Sequence, residues 1–140
     1  MKALRRTLVA FSAIIAVMLP ANAAEAAVSN YMRNPIGGVL YQTNWWYASS
    51  TVSGTAPTGA LITTVHWSYS LSNHSGVEAY LCIPVGCSKL TGASGVTTAF
   101  VGQPASQSWT FYFAVPASTT YLLSPPRTGG AHMVDVTYVY

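Results

Sequence analysis

Few side chains in this 140-residue chain could carry out acid–base or nucleophilic chemistry. Its acidic and histidine side chains number three each: Glu25, Glu78, Asp135, His66, His74 and His132. Hydrolysis by paired carboxylates needs two acids on either side of one bond. Glu25 lies near the N-terminus, and Glu78 alternates with apolar residues in a short predicted strand, which favours a solvent-facing position.

A serine-type catalytic triad is also not expected. His132 and Asp135 are three residues apart, so within one strand their side chains would point to opposite faces. The chain contains no G-x-S-x-G sequence and no glycine-rich phosphate loop after a strand. His66 falls on the polar side of its predicted strand, where an exposed, uncoordinated histidine is expected. We therefore predict no catalytic residue, no bound metal and no cofactor.

The first 23 residues have the order of a secretory signal peptide. Basic residues precede an apolar run over 8–19, and Pro20 then leads to the small residues of Ala21-Asn22-Ala23. Twelve residues rise only about 18 Å as a helix, against a hydrocarbon core of about 30 Å. We predict cleavage after Ala23, with Ala24, Ala27 or an uncleaved anchor as alternatives. The product would be exported, with no stable membrane insertion.

Export affects how the charges and the cysteines of the chain are interpreted. Half of the six Lys and Arg residues lie in 1–6, so the remainder of the chain carries three basic and three acidic residues. Such a neutral chain lacks the basic stripe that nucleic-acid binding needs. Cys82 and Cys87 are the only cysteines, and an oxidising compartment favours a structural disulfide between them. A redox pair or a metal site is the alternative.

The rest of the chain alternates with a period of two residues. The run from Leu61 to Leu71 would place its odd-numbered residues, Leu61 and Thr63 included, on an inward face, and 108–115 and 134–140 repeat the pattern. Further strands are expected over 77–82, 37–47 and 96–101, with turns at Ser94-Gly95 and over 124–130. We predict an all-β fold: one domain over 24–140, an antiparallel β-sandwich of about six to seven strands with one local disulfide. A small barrel is the alternative.

Aromatic residues are the most informative feature outside the predicted core. Neighbouring residues of a strand point opposite ways, so Asn44-Trp45-Trp46-Tyr47 places at least one tryptophan outside the packed face. Tyr80 lies on the face of its strand away from Ala79 and Leu81. We predict Trp45, Trp46, Tyr47 and Tyr80 as possible partner-binding aromatics. Alternatively, these rings shield a sheet edge, or both sheet faces are partly covered.

The central part of the chain resembles the flagellar FlhE family of Gram-negative bacteria. The resemblance lies in W-x-Y-x-L at Trp67–Leu71, in LC-x4-C at Leu81–Cys87, and in L-x-G-x-S-G-x-T-x-x-F at Leu90–Phe100. Phe113-Ala114-Val115-Pro116 and Val136-Thr137-Tyr138 are similar to the last strands of that family. Residues 121–131 and the Trp45-Trp46-Tyr47 cluster do not match its pattern, so no special role is carried over to them.

The resemblance implies a periplasmic accessory of flagellar assembly without catalytic activity. Members resemble chaperones or guards that discourage filament growth in the periplasm and limit proton leak through the export apparatus. The implied partners are flagellar rod, hook or export-apparatus proteins, and the oligomeric state is not implied.

A carbohydrate-binding sandwich is the alternative function. Trp45, Trp46 and Tyr47 would then stack on sugar rings of peptidoglycan or exopolysaccharide. Sugar-binding modules usually add acidic and amide hydrogen-bond partners, and Asn44 is the only such residue close by in the sequence.

Overall fold

The computed structural model describes residues 24–140, and the signal peptide predicted for 1–23 lies outside them. The described residues form eleven β-strands and no helix. The strands are β1 (Val28–Arg33), β2 (Val39–Gln42), β3 (Tyr47–Ala48), β4 (Val52–Ser53), β5 (Leu61–Ser68), β6 (Glu78–Ile83), β7 (Gly86–Leu90), β8 (Ser94–Thr97), β9 (Ser108–Ala114), β10 (Leu122–Thr128) and β11 (Met133–Val139).

All strand pairing is antiparallel. One sheet has the order β1-β11-β5-β8, and a second has the order β3-β9-β6-β7, with β4 also paired to β9. β10 and β2 form a separate two-stranded ribbon. The predicted fold class, an all-β sandwich-like arrangement of antiparallel sheets, is confirmed. The strands outnumber the expected six to seven for two reasons. No strand was predicted where β1, β7 and β10 lie, and the segment over 37–53 breaks into three short strands, of four, two and two residues.

A shared apolar core lies between the sheets. On β9 the inward residues Trp109, Phe111 and Phe113 are at most 1% exposed, and they share the hydrophobic cluster with Val65 of β5 and Val136 of β11. These inward faces of β9 and β11 are the ones that the two-residue period predicts. Burial of such side chains stabilises the fold by about 1.5–3 kcal/mol each.

The predicted inward face of β5 is wrong at its start. Thr64 pairs with Thr137, but Ile62 pairs with the next residue, Tyr138, so β5 contains an extra residue at this point. Such a bulge reverses the face to which the preceding residues point. Ile62 is therefore buried at 1% exposure, whereas Leu61 is 44% exposed.

Three predicted boundaries also differ from the structure. The turn predicted over 124–130 is largely strand β10, whose ladder with β2 is interrupted between Leu122 and Arg127. Prolines have no N–H to donate, and an edge strand with an interrupted ladder accommodates them. Ser94 and Gly95 belong to β8 rather than to a turn, and β8 ends at Thr97, so the strand predicted over 96–101 is wrong over 98–101.

A buried hydrogen-bond chain joins the two large sheets. Trp109 Nε1 donates to Tyr31 Oη at 2.9 Å, and Tyr31 Oη donates to the carbonyl oxygen of Ala105 at 2.7 Å. Burial raises the pKa of Tyr31, which keeps its hydroxyl protonated and able to donate. Gly54 makes room for this hydroxyl, because a Cβ at position 54 would lie 2.0 Å from Tyr31 Oη.

Removing the Tyr31 hydroxyl tests this connection. In Tyr31→Phe the buried Trp109 N–H loses its partner, while the Ala105 carbonyl keeps the hydrogen bond from the Gln107 N–H. We therefore expect the free energy of unfolding to fall by about 1–3 kcal/mol in urea denaturation. The matched control is Tyr140→Phe, because Tyr140 is 54% exposed. Equal stability of the two variants would contradict a contribution from the buried hydroxyl.

Candidate functional site

The outer face of the β9-β6-β7 sheet carries two tyrosines side by side. Tyr80 of β6 pairs with Tyr112 of β9 in the strand register. Both residues point away from the core because their neighbours Ala79, Leu81, Phe111 and Phe113 point into it. Tyr112 is 38% exposed and Tyr80 is half-buried.

The disulfide lies on this same outer face. Cys82 and Cys87 are register partners in the β6–β7 hairpin and are disulfide-bonded, which confirms the predicted pairing. Pro84 and Val85 form the turn that joins the two strands. Closing so small a loop contributes about 2 kcal/mol in the chain-entropy description. The bridge therefore fixes the end of the hairpin beside the tyrosines.

Trp46 completes a groove on this surface. Its ring packs edge-on against Tyr80, with centroids 5.3 Å apart and an interplanar angle of 74°. The cavity here has a volume of about 600 Å³. We call it the aromatic groove, and it is lined by Trp46, Tyr80, Cys82, Ile83, Pro84, Cys87 and Tyr112. A smaller hollow of about 160 Å³ continues it past Pro84 towards the hydroxyl groups of Thr51, Ser108 and Thr110.

The four predicted partner-binding aromatics occupy different environments. Trp46 and Tyr80 contact each other in the groove. Trp45 is 59% exposed and lies outside the groove lining. Tyr47 is half-buried, and its hydroxyl accepts a hydrogen bond from the Gln42 backbone N–H at 3.1 Å. Tyr112 was not among the predicted residues, although the alternation of 108–115 places it outward.

Charge is absent from the lining of the groove. The nearest charges on this face are Glu78 and Lys89, which neutralise each other in a 3.0 Å ion pair. The hydrogen bond from Lys89 to Glu78 raises the pKa of the lysine. Lys89 Nζ also lies 6.0 Å from the centroid of the Tyr80 ring. The groove is thus an uncharged aromatic surface with one compensated ion pair beside it.

Of the residues considered for catalysis, the structure brings together only His66 and Asp135, which are register partners of β5 and β11. Asp135 accepts a hydrogen bond from Asn30 on the outer face of the other large sheet. His132 is 1% exposed and lies against Phe111 and Phe113 in the core. Within residues 24–140 no three His, Cys, Asp or Glu side chains are grouped so that they could hold a metal ion. The same residues include no helix long and apolar enough to cross a membrane.

His132 is held as a neutral side chain. Its Nδ1 accepts a hydrogen bond from the Ser70 backbone N–H at 3.2 Å, and its buried Nε2 has no hydrogen-bond partner among residues 24–140. Burial lowers its pKa to about 4, because the charged form would lose hydration without gaining a partner.

Comparisons with known proteins point to one family. The family described as "Flagellar protein FlhE" matches residues 37–138. "Flagellar protein FlhE" of Escherichia coli (strain K12) is 30% identical over 128 residues, which cover 89% of this chain and 97% of that protein. The corresponding protein of Salmonella typhimurium is 28% identical over 102 residues, or 71% of this chain and 78% of that protein.

Two solved structures are similar to this chain, one at the level of the family and one at the level of the fold. The structure described as "Crystal Structure of FLHE" is 27% identical and has a TM-score of 0.74, covering 82% of this chain and all of that chain. A serine protease of Aeromonas sobria has a TM-score of 0.62 at 13% identity, over 79% of this chain and 27% of the protease. At that identity the protease shares only the fold.

The buried neutral histidine predicts a stability that depends on pH. The unfolded histidine titrates near pH 6.5 and the folded one near 4. The unfolded state therefore binds more protons between these values, and stability present above pH 6.5 is lost as the pH falls towards 4. We expect this loss to reach at most about 3 kcal/mol.

The matched variant is His132→Asn, whose amide oxygen can accept from the Ser70 N–H but whose side chain does not titrate. Urea denaturation from pH 7.5 to 4 should give a shallower decline for the variant than for the wild type. Parallel declines would show that other groups cause the acid sensitivity.

Proposed function

Because the chain belongs to the FlhE family of flagellar proteins, we propose that it is a non-catalytic accessory of flagellar biogenesis that acts in the periplasm. The observation that carries this proposal is the family match over residues 37–138. The order of basic, apolar and small residues in 1–23 supports export through a cleaved signal peptide.

The proposed role is that of a chaperone or guard. The protein would bind flagellar rod, hook or export-apparatus proteins, prevent filament growth in the periplasm and limit proton leak. Covering the polymerising surface of a subunit requires only a binding surface. A role of this kind is compatible with a chain whose acidic and histidine side chains are so few.

The aromatic groove is the surface that we assign to this contact. The rings of Tyr80 and Tyr112 are mounted on the paired strands β6 and β9 and are therefore held in place before a partner arrives, which lowers the entropic cost of binding. Trp46 lies just before β3 and packs against Tyr80. Trp and Tyr are also the side chains most often found at energetically dominant contact positions. A groove without charge would accept an uncharged apolar segment without desolvating an ion.

Deletion of the gene tests the function, and complementation tests the surface. We expect the deletion strain to show filaments trapped in the periplasm by electron microscopy, or an acidified cytoplasm with a pH reporter. The wild-type gene in trans should restore both. Trp46→Ala should fail to restore them, because the groove loses one wall.

Trp45→Ala is the matched control, since Trp45 is an equally exposed neighbour outside the groove. It should complement like the wild type. Normal flagella and normal pH in the deletion strain would contradict the flagellar role. Full complementation by Trp46→Ala would instead remove only the groove from the proposal.

A further inference from the structure

The polar groups on the rings of the aromatic groove can all donate a hydrogen bond. Trp46 contributes an indole N–H, which can only donate, and Tyr80 and Tyr112 contribute phenolic O–H groups, which can donate and accept. The side chains that line the groove include no carboxylate and no carboxamide. A well-matched ligand would therefore carry many hydrogen-bond acceptors. It would carry few donors, because the groove offers no carboxylate or carboxamide side chain to accept from them.

The arrangement of the rings restricts the ligand further. Trp46 and Tyr80 stand almost perpendicular, at 74°, and contact each other with their centroids 5.3 Å apart, so the two rings form a corner. A pyranose stacks best on one open ring face, whereas the smaller pyrrolidine ring can lie in such a corner and contact both rings. Proline-rich segments dock in aromatic-lined grooves of this kind in other proteins.

The backbone beneath the groove gives an independent restriction. β6 is paired on both sides, with β7 and with β9, so its N–H and C=O groups are already used in the sheet. A ligand lying across this face cannot add as another strand. A polyproline II segment does not need strand pairing, because its backbone has no internal hydrogen bonds and its carbonyls remain free.

We propose that the aromatic groove binds a short, uncharged, proline-rich segment of a partner protein in the polyproline II conformation. The groove crosses three strands, about 10 Å, which matches three to four residues at about 3.1 Å each. The segment's carbonyls accept from the ring donors, and its pyrrolidine rings pack in the corner between Trp46 and Tyr80. This inference rests on the proposed function, because it names the kind of segment that the accessory protein would hold.

The proposal is tested with fluorescein-labelled decaproline and the purified full chain. Fluorescence anisotropy should show saturable binding, at least about tenfold tighter than for a labelled (Gly-Ser)5 peptide. Trp46→Ala and Tyr112→Ala should each weaken decaproline binding by about tenfold or more, and Trp45→Ala should leave it unchanged. Tyr112→Phe, which keeps the ring, should give a smaller loss if the hydroxyl donates. Unchanged thermal unfolding of each variant shows that the fold is intact.

Other occupants give different results. Absence of decaproline binding, or equal affinity for both peptides, would overturn the proposal. Binding of chitotetraose that depends on Trp46 would replace it with a glycan site. Concentration-dependent self-association that Trp46→Ala abolishes would identify a second copy as occupant, which could use the exposed Pro125 and Pro126 of β10.

The result of the decaproline experiment can be distinguished from the result of the test of the flagellar role. If decaproline does not bind but Trp46→Ala still fails to complement the deletion strain, the proposed function stands and only the occupant is wrong. If decaproline binds through Trp46 and the deletion strain is normal, the peptide site stands and the flagellar role fails.

Discussion

Side-chain alternation along β9 and β6 connects the core to the outer surface of the protein. Packing of Phe111 and Phe113 into the core obliges Tyr112, between them, to point outward, and Tyr80 follows from Ala79 and Leu81 in the same way. The register between the two strands then places the two tyrosines next to each other. A slip of one residue would exchange core and surface on the whole strand. The free energy that stabilises the core therefore also fixes the position of the groove, and the Cys82–Cys87 bridge secures the adjoining hairpin.

The local sequence pattern was sufficient to predict the fold class, the disulfide and the outward position of Tyr80. The two-residue alternation over 108–115 also placed Trp109, Phe111 and Phe113 on one face, which the structure buries. Features that depend on pairing with residues far away in the sequence could not be predicted from the local pattern. The bulge opposite Thr137 decides whether Leu61 or Ile62 is buried, and no local signal marks it. Local turn signals predict a turn at Pro125 and Pro126, whereas their place in β10 depends on pairing with β2, which the local sequence does not show. Likewise, only the fold brings Trp46, Pro84 and the disulfide to the tyrosines, so the groove could be predicted in its residue types but not in its geometry.

The chemical character of the site fits the proposed role of a binding protein. Apart from the register partners His66 and Asp135 on the opposite sheet, the acidic and histidine side chains are dispersed, and His132 is enclosed in the core. Beside the groove, Glu78 and Lys89 cancel each other. What the outer face offers is rigid aromatic area, ring donors and a nearby row of hydroxyl groups. An accessory that shields segments of other proteins requires these properties and no reactive group, and membership of a flagellar family supplies the setting in which such shielding would be useful.

Site-specific photocrosslinking in living cells tests most directly whether the aromatic groove is the contact surface. A photoreactive phenylalanine derivative would replace Tyr112 in the groove, with Val96 as the control, because Val96 is exposed on the edge strand β8 of the other large sheet. Illumination during flagellar assembly should yield adducts with a flagellar protein from position 112 and none from position 96, and Trp46→Ala should reduce them. Equal adducts from both positions, or none from position 112 in cells that assemble flagella, would contradict the assignment of the groove as the partner-binding surface.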